Sequence, residues 1–180
     1  EHASKEQQHA VFPFHFELAA RLGLPLYLHS RNCEGDFLQL LRANLPRLRG
    51  GVVHSFTGSQ TELAELLALG LHIGVNGCSL KTEENVEAVR AIPLDRLLLE
   101  TDAPYCAIRA SHAGRRFVAT APPREKPRDK AGTEFMVKGR NEPCRIGEVV
   151  EAVAAIKGVD PDELCEIAYL NACRLFRIEP

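Results

Sequence analysis

The chain has 180 residues, of which 45% are hydrophobic and 26% charged, which predicts one folded domain over residues 1–180 and excludes a disordered or fibrous chain. The formal net charge of -2 excludes a wholly cationic surface, so any contact with a polyanion must be local. No apolar run approaches the ~20 residues of a membrane helix and the first residues lack the apolar core of a secretory signal, so we expect an intracellular protein, nuclear or cytoplasmic, with no membrane partner.

The first predicted element is a helix over residues 5–22, in which Phe14, Leu18 and Leu22 share one stripe and Gly23 supplies the C-cap. Four apolar segments follow, and each ends in polar residues, as expected for buried parallel strands whose tips reach a site. The predicted strands are residues 26–29, 51–56, 72–77 and 97–102. Helices are predicted after the first three, over residues 35–45, 59–70 and 82–91.

The segment 103–143 is rich in proline, glycine and arginine and is too long for a simple connection in a compact domain. Helical spacing returns over residues 146–156, and Asp160 followed by Pro161 begins a last helix that ends at Phe176. Strands that alternate with helices over short connections indicate an α/β fold with a parallel sheet covered by helices.

The six cysteines are widely spaced and include no C-x-x-C pair, so the sequence predicts neither a zinc ribbon nor a disulfide framework. We expect these thiols to be reduced and mostly buried. They are Cys33, Cys78, Cys106, Cys144, Cys165 and Cys173.

Three of the predicted strands end in a side chain that can bind a metal, namely His29, His54 and Asp102. Because the carboxyl ends of parallel strands meet at one edge of a sheet, these side chains are expected to converge on one pocket. Neutral imidazoles and a carboxylate form a mixed nitrogen and oxygen site suited to Mg²⁺, Mn²⁺ or Zn²⁺. The sequence does not select among these ions.

Five motifs occur in a fixed order that resembles the TatD family of metal-dependent deoxyribonucleases, in particular its eukaryotic branch. They are LHSRN at 28–32, VHSFTG at 53–58, GVNGCSLK at 74–81, ETDAPY at 100–105 and RNEP at 140–143. The resemblance implies a TIM-type (β/α) barrel that holds two divalent metal ions and hydrolyses DNA. By the same resemblance His29 and His54 bind one ion, whereas Asp102 binds the other and orients or deprotonates the attacking water.

The family also has an H-x-H strand and a metal-bridging glutamate that precede the first helix of this chain, and neither is present in these 180 residues. The resemblance therefore implies an incomplete barrel with three of the metal ligands. We expect the chain by itself to have little nuclease activity, and we expect an open barrel edge that favours self-association.

Further residues beside the strand tips are candidates for contact with substrate or for bracing the site. Glu100 is either a group that supports the metal ligands or a strand-end carboxylate. The candidates for contact with DNA, for which a solvated surface or a structural ion pair is the alternative, are Arg31, Asn76, Lys81, His112, Arg140, Asn141 and Glu142.

Three functions stay open at this stage. The first is a deoxyribonuclease, with 3′ to 5′ exonuclease action as its finer form. The second is a catalytically inactive TatD-like fold or weak nucleic-acid-binding module. The third is a metallohydrolase of small amides or esters, because related barrels share this ligand chemistry.

Overall fold

A computed structural model describes residues 3–33, 35–132 and 134–179, and its centre is a four-stranded parallel sheet in the order β1-β2-β3-β4. The strands are β1 (Leu26–His29), β2 (Gly51–His54), β3 (His72–Val75) and β4 (Leu97–Leu99). All three pairings are parallel, which confirms the predicted strand-helix units. Residues on both faces of β2 and β4 are mostly buried, whereas β1 alternates buried Leu26 and Leu28 with exposed Tyr27 and His29.

Within the described residues, six α-helices follow the predicted order. They are α1 (Lys5–Leu22), α2 (Asp36–Asn44), α3 (Gln60–Ala68), α4 (Glu83–Ala91), α5 (Ile146–Lys157) and α6 (Pro161–Phe176). Short 3-10 turns lie at Leu45–Arg47, Gly77–Leu80, Leu94–Arg96, Ala113–Phe117, Arg128–Lys130 and Pro143–Arg145. The long segment also contains a two-residue parallel pair, β5 (Glu125–Lys126) and β6 (Met136–Val137).

The helix boundaries follow from their caps. The side chain of Ser59 accepts a hydrogen bond from the backbone N–H of Glu62 at the start of α3, and Asp160 accepts two such bonds at the start of α6. Gly23 ends α1 in the left-handed region, at φ 63°, which glycine adopts without steric cost. These three boundaries agree with the sequence prediction.

Three strands are shorter than predicted, and after β2 and β4 the backbone enters the left-handed region near the strand tip. Ser55 and Asp102 have φ of 52° and 53°, and these left-handed residues cannot continue a parallel ladder. Strand β2 therefore ends at His54, and Asp102 lies in the turn after β4 rather than in the strand. The turn conformation sets the direction in which the Asp102 side chain leaves the backbone.

The apolar stripe of α1 faces solvent, although such a stripe usually faces a core. Phe14 is 71% exposed and Leu22 59% exposed, whereas Phe16 and Ala19 are the α1 side chains that are buried. Strand β1 is an edge strand, because among the described strands it pairs only with β2. Helix α1 and the edge strand β1 therefore leave an apolar surface uncovered in this chain.

The prediction that all cysteines are reduced is wrong, because Cys78 and Cys106 form a disulfide with their Cα atoms 5.0 Å apart. The prediction of burial is wrong as well for Cys144 and Cys165, which are exposed. The bridge joins residues 28 positions apart, on the turns that follow β3 and β4. Sequence spacing gave no sign of it because the two turns meet only when their strands pair.

Reduction of the Cys78–Cys106 bridge is expected to destabilise the fold by about 3 kcal/mol, because the reduced unfolded chain gains conformational entropy. For a domain of this size the corresponding decrease in melting temperature is on the order of 10 °C. Differential scanning calorimetry with and without a phosphine reductant measures the change. A Cys78→Ser/Cys106→Ser variant should melt at the lower temperature and be insensitive to reductant; equal melting of oxidised and reduced wild type would contradict the prediction.

Within the described residues, no helix is both long and apolar enough to cross a membrane.

Candidate metal centre at the carboxyl ends of the strands

His29 and His54 end neighbouring strands and are register partners in the sheet. Their ring centroids are 4.8 Å apart, and Nδ1 of His29 lies 2.9 Å from Nε2 of His54. The parallel register produces this contact, because it places two histidines 25 residues apart at the same edge of the sheet. The structure therefore brings the two predicted imidazole ligands together.

Glu100, the residue after β4, accepts hydrogen bonds from three elements at this edge. One carboxylate oxygen accepts from the hydroxyl of Tyr27 at 2.8 Å, and the other accepts from the backbone N–H of Ser55 and from the Asn76 amide at 3.3 Å. Nδ1 of His54 is 3.6 Å from the latter oxygen. Glu100 therefore links the ends of all four strands and sets the position of the His54 ring.

The Tyr27 ring contacts both His54 and Glu100. It stacks on the His54 ring at a centroid distance of 4.9 Å, and its hydroxyl donates to Glu100. Burial, the hydrogen bond to Glu100 and the negative charge of that carboxylate together raise the pKa of Tyr27 well above 10. The phenol therefore stays protonated, and remains a donor, through the physiological range.

The raised pKa of Tyr27 predicts a loss of stability at alkaline pH. Below pH 10 the phenol is protonated in the folded and unfolded states, so its contribution is complete. As pH rises above about 10, the unfolded chain loses this proton first and the folded state is disfavoured. Urea unfolding measures the free energy of unfolding between pH 9 and 11. This free energy should decrease less for Tyr27→Phe than for wild type over that range. Tyr105→Phe serves as the exposed control, and identical declines in all three proteins would oppose the assignment.

Asp102 follows β4 by three residues and lines a cleft together with Glu100. Its carbonyl accepts a hydrogen bond from the Tyr105 N–H at 2.8 Å, and Sγ of Cys106 is 3.3 Å from its carboxylate oxygen. Asp102, Glu100 and Tyr27 line a cleft of about 560 Å³. The disulfide through Cys106 therefore anchors the turn that carries Asp102.

His29 opens instead onto a groove of about 1100 Å³ between α1 and the segment after β1, which Arg31 also lines. The structure thus pairs the two histidines and places Asp102 on the neighbouring cleft with Glu100. In residues 3–33, 35–132 and 134–179 no group of three or more His, Cys, Asp or Glu side chains could hold a metal ion. The predicted convergence of all three ligands on one pocket therefore stays a prediction for Asp102.

The two imidazoles fit as adjacent ligands of one divalent ion. Two nitrogens bound at about 2.0–2.1 Å are about 3.3 Å apart on a tetrahedral ion and about 2.9 Å apart at a right angle, so the 2.9 Å separation of His29 and His54 is within reach of one ion. Burial, followed by the positive charges of His54 and Arg31, lowers the pKa of His29. A lowered pKa keeps this imidazole neutral near pH 7, and the neutral ring is the form that binds metals.

The candidates for DNA contact differ in accessibility. Arg31, Lys81 and Arg140 are exposed beside the strand tips, although Arg140 forms an ion pair with Glu142 at 2.7 Å. His112 is partly buried, and its Nδ1 accepts a hydrogen bond from the Arg109 N–H. Of this group, Arg31 and Lys81 have the side chains most available to a phosphate.

Asn76 and Asn141 do not fit the expectation of a direct contact with substrate, because both are buried. Asn76 is fully buried, and its amide donates to the Ser55 hydroxyl and to Glu100. The Asn141 amide donates to the Thr101 carbonyl at 2.9 Å, and its backbone N–H donates to the Pro104 carbonyl. Asn141 therefore braces the turn that carries Asp102.

Sequence reasoning missed Tyr27, Ser55 and Cys106 as parts of this site. A signal existed for Tyr27, because residues two apart in a strand share a face and Tyr27 is two residues before His29. No local pattern marks Ser55 or Cys106, whose roles depend on contacts with Glu100 and Asp102.

Comparisons with known proteins identify the family of this chain. The sequence model of the family described as TatD related DNase matches residues 1–177. The chain is 50% identical over 178 residues to the Schizosaccharomyces pombe protein named Deoxyribonuclease Tat-D, covering 97% of this chain and 56% of the relative. It is 40% identical over 176 residues to the Erwinia billingiae protein named 3'-5' ssDNA/RNA exonuclease TatD, covering 96% and 59%.

A crystal structure of a TatD family hydrolase from Entamoeba histolytica matches with a TM-score of 0.90 and 30% identity, covering 97% of this chain and 58% of that one. The chain therefore spans less than two thirds of the length of each of these relatives. The match confirms the predicted (β/α) barrel type, of which the described residues form four parallel strands without a closed barrel. By sequence and by fold, this chain belongs to the TatD-related DNase family.

Proposed function

We propose that this chain carries metal-binding and DNA-cleaving residues of a divalent-metal-dependent deoxyribonuclease, with 3′ to 5′ exonuclease action as the finer form. The observation that carries the proposal is the His29–His54 pair, whose nitrogens are 2.9 Å apart at the carboxyl edge of the sheet. Asp102 follows a third strand at the same edge. The names of the S. pombe and E. billingiae relatives support the choice of DNA as substrate.

In this proposal His29 and His54 hold one of two divalent ions, which is Mg²⁺, Mn²⁺ or Zn²⁺. Bound metal ions polarise a phosphoryl oxygen and make water more acidic at neutral pH. Asp102 would bind the second ion and orient or deprotonate the attacking water. Glu100 and Tyr27 act through His54, which they hold in place by charge and by ring stacking.

The exposed cations are proposed to position the DNA strand. Arg31 and Lys81 contact backbone phosphates, because their side chains are exposed in the segments that follow β1 and β3. Arg140, His112 and Glu142 lie near this path and have a weaker case, since each already has a partner in the chain or is partly buried.

A chimera tests the proposal directly. In the chimera this chain replaces the matching 56% of the S. pombe relative, so the remainder of that protein supplies the other residues of its site. With Mg²⁺ or Mn²⁺, the chimera should shorten a 5′-labelled single-stranded oligonucleotide from its 3′ end, and EDTA should stop the reaction. The 180-residue chain alone should be much less active, because two imidazoles and one carboxylate hold two ions too weakly.

Two results of this assay would contradict the proposal. An inactive chimera with normal melting behaviour would favour the reading of this chain as a catalytically inactive TatD-like fold. Robust metal-dependent cleavage by the 180-residue chain would show that it contains more metal ligands than His29, His54 and Asp102.

We also propose that the isolated chain self-associates through α1 and the edge of β1. Phe14, Leu18 and Leu22 are each more than half exposed there, and exposed apolar surface beside an open strand edge favours association. Sedimentation velocity should detect a dimer or larger species, and Phe14→Ser/Leu18→Ser should shift it toward monomer.

A further inference from the structure

A cavity of about 350 Å³ lies at the opposite edge of the sheet, where the strands begin, and it is lined by four arginines and one carboxylate. Its charged and polar side chains are Arg49, His72, Asp95, Arg96, Asn171, Arg174 and Arg177. The sheet topology produces the cluster: Arg49 precedes β2, His72 begins β3 and Arg96 precedes β4. The other two arginines lie at the end of α6.

The end of α6 is fixed beside the cavity by Asn171, which is 1% exposed. The Asn171 amide donates to the carbonyls of Leu94 and Leu97 at 2.7 Å and 3.0 Å. Because Arg174 is about one turn further along the helix, it is held at the mouth of the cavity. The cationic residues are therefore brought together by the fold and not by a flexible tail.

The positive charge of the cavity is poorly compensated. Arg96 is 3.7 Å from Asp95 and donates to the Gly70 carbonyl at 3.3 Å. In the part of the chain that the structure describes, the side chains of Arg49, Arg174 and Arg177 have no hydrogen bond or ion pair. Four guanidinium groups line the cavity with one carboxylate, so the cavity carries an excess of positive charge that favours an anion.

His72, at the start of β3, lines the same cavity. Its ring is hydrogen-bonded to the backbone of Gly51, and burial followed by the positive charge of Arg96 lowers the pKa of His72. The neutral ring leaves the arginines as the cations of the cavity.

We infer that this arginine cavity binds a small phosphate-bearing anion with two or more negative charges. Guanidinium groups match phosphate oxygens in geometry and form paired charge-assisted hydrogen bonds with them. The volume lies at the lower end of the range for small-molecule sites, which suits a phosphate, a pyrophosphate or the phosphate end of a nucleotide. The inference does not depend on the proposed nuclease function.

Isothermal titration calorimetry with pyrophosphate, at low salt and with EDTA present, tests this inference. EDTA removes divalent ions, so phosphate cannot be held by metal at His29 and His54. Wild type should bind one equivalent saturably, and Arg174→Gln/Arg177→Gln should bind roughly a hundredfold more weakly, about tenfold for each charged donor removed. Both side chains are exposed and without partners, so the double variant should fold and melt as wild type does.

Arg21→Gln is the matched control, because Arg21 lies in the last turn of α1 as Arg174 lies in the last turn of α6. The control should bind pyrophosphate as wild type does. Three results would overturn the inference. Wild type could fail to bind pyrophosphate saturably, Arg21→Gln could weaken binding as much as the double variant does, or the double variant could bind with unchanged affinity.

Two further arms identify the source of the phosphate. If a mononucleotide competes with pyrophosphate and a short single-stranded oligonucleotide does not, the cavity binds small metabolites. Tighter binding of the oligonucleotide, with the same dependence on Arg174 and Arg177, assigns it to a nucleic-acid backbone. In either case, NMR signals of the His72 ring should shift with bound anion in wild type and stay unchanged in the double variant.

Discussion

Asp102→Asn in the active chimera is expected to lower the rate of DNA cleavage by about 10²- to 10⁴-fold, the range found when a positioned acid or base is removed. Asparagine keeps the size of the side chain and the left-handed turn, because asparagine and aspartate both tolerate that conformation. It has no negative charge and cannot accept a proton from water. The substitution should therefore lower the rate constant for cleavage and leave the fold unchanged.

Single-turnover cleavage of a labelled oligonucleotide at saturating enzyme measures this effect, and circular dichroism confirms that the variant is folded. Asp129→Asn is the control, because Asp129 is an exposed aspartate of the long segment. It should cleave at the wild-type rate. A fully active Asp102→Asn variant would show that another group accepts the proton.

Glu100→Ala is expected to lower the free energy of unfolding by about 3 kcal/mol or more. Truncation leaves the Ser55 N–H and one donor of the Asn76 amide without an acceptor, and both residues are buried. It also removes the carboxylate beside His54 and the acceptor of the Tyr27 hydroxyl. The desolvation of donors left without partners accounts for most of the loss.

Urea denaturation of the 180-residue chain measures this change. Glu166→Ala is the control on the exposed surface of α6, and it should alter stability by no more than about 0.5 kcal/mol. Glu100→Gln should be intermediate, because it keeps one acceptor oxygen but turns an NH₂ group toward a donor. Equal stabilities of the Glu100→Ala and Glu166→Ala variants would mean that the network at the strand tips contributes little.

In the proposed activity, Glu100 affects both the histidine pair and Asp102. Its carboxylate lies between the His54 ring and the cleft that Asp102 lines. Loss of Glu100 therefore acts on the histidine pair and on the Asp102 side at once. Residues that hold ligands in place commonly affect metal affinity by 10- to 100-fold, roughly as much as weaker ligands do.

Local properties of the sequence determined the order and type of the helices and strands. The apolar strand segments, the caps at Ser59 and Asp160, and Gly23 after α1 act within a few residues, so they are readable without the fold. The meeting of His29 and His54 was also predictable, because equivalent positions at the ends of neighbouring parallel strands must be adjacent.

Only the tertiary structure decided which of these residues are partners and which are exposed. Glu100 meets Tyr27 across 73 residues, and Cys78 meets Cys106 across 28, with no local pattern that marks either pair. Asn76 is in a turn, where exposure is the usual expectation, but the packing of three strand tips buries it. Helical spacing defines the stripe of Phe14 on α1, yet burial depends on what packs against it. Periodicity and capping are properties of neighbouring residues, whereas burial and hydrogen-bond partners depend on segments that are distant in sequence and meet only when the sheet assembles.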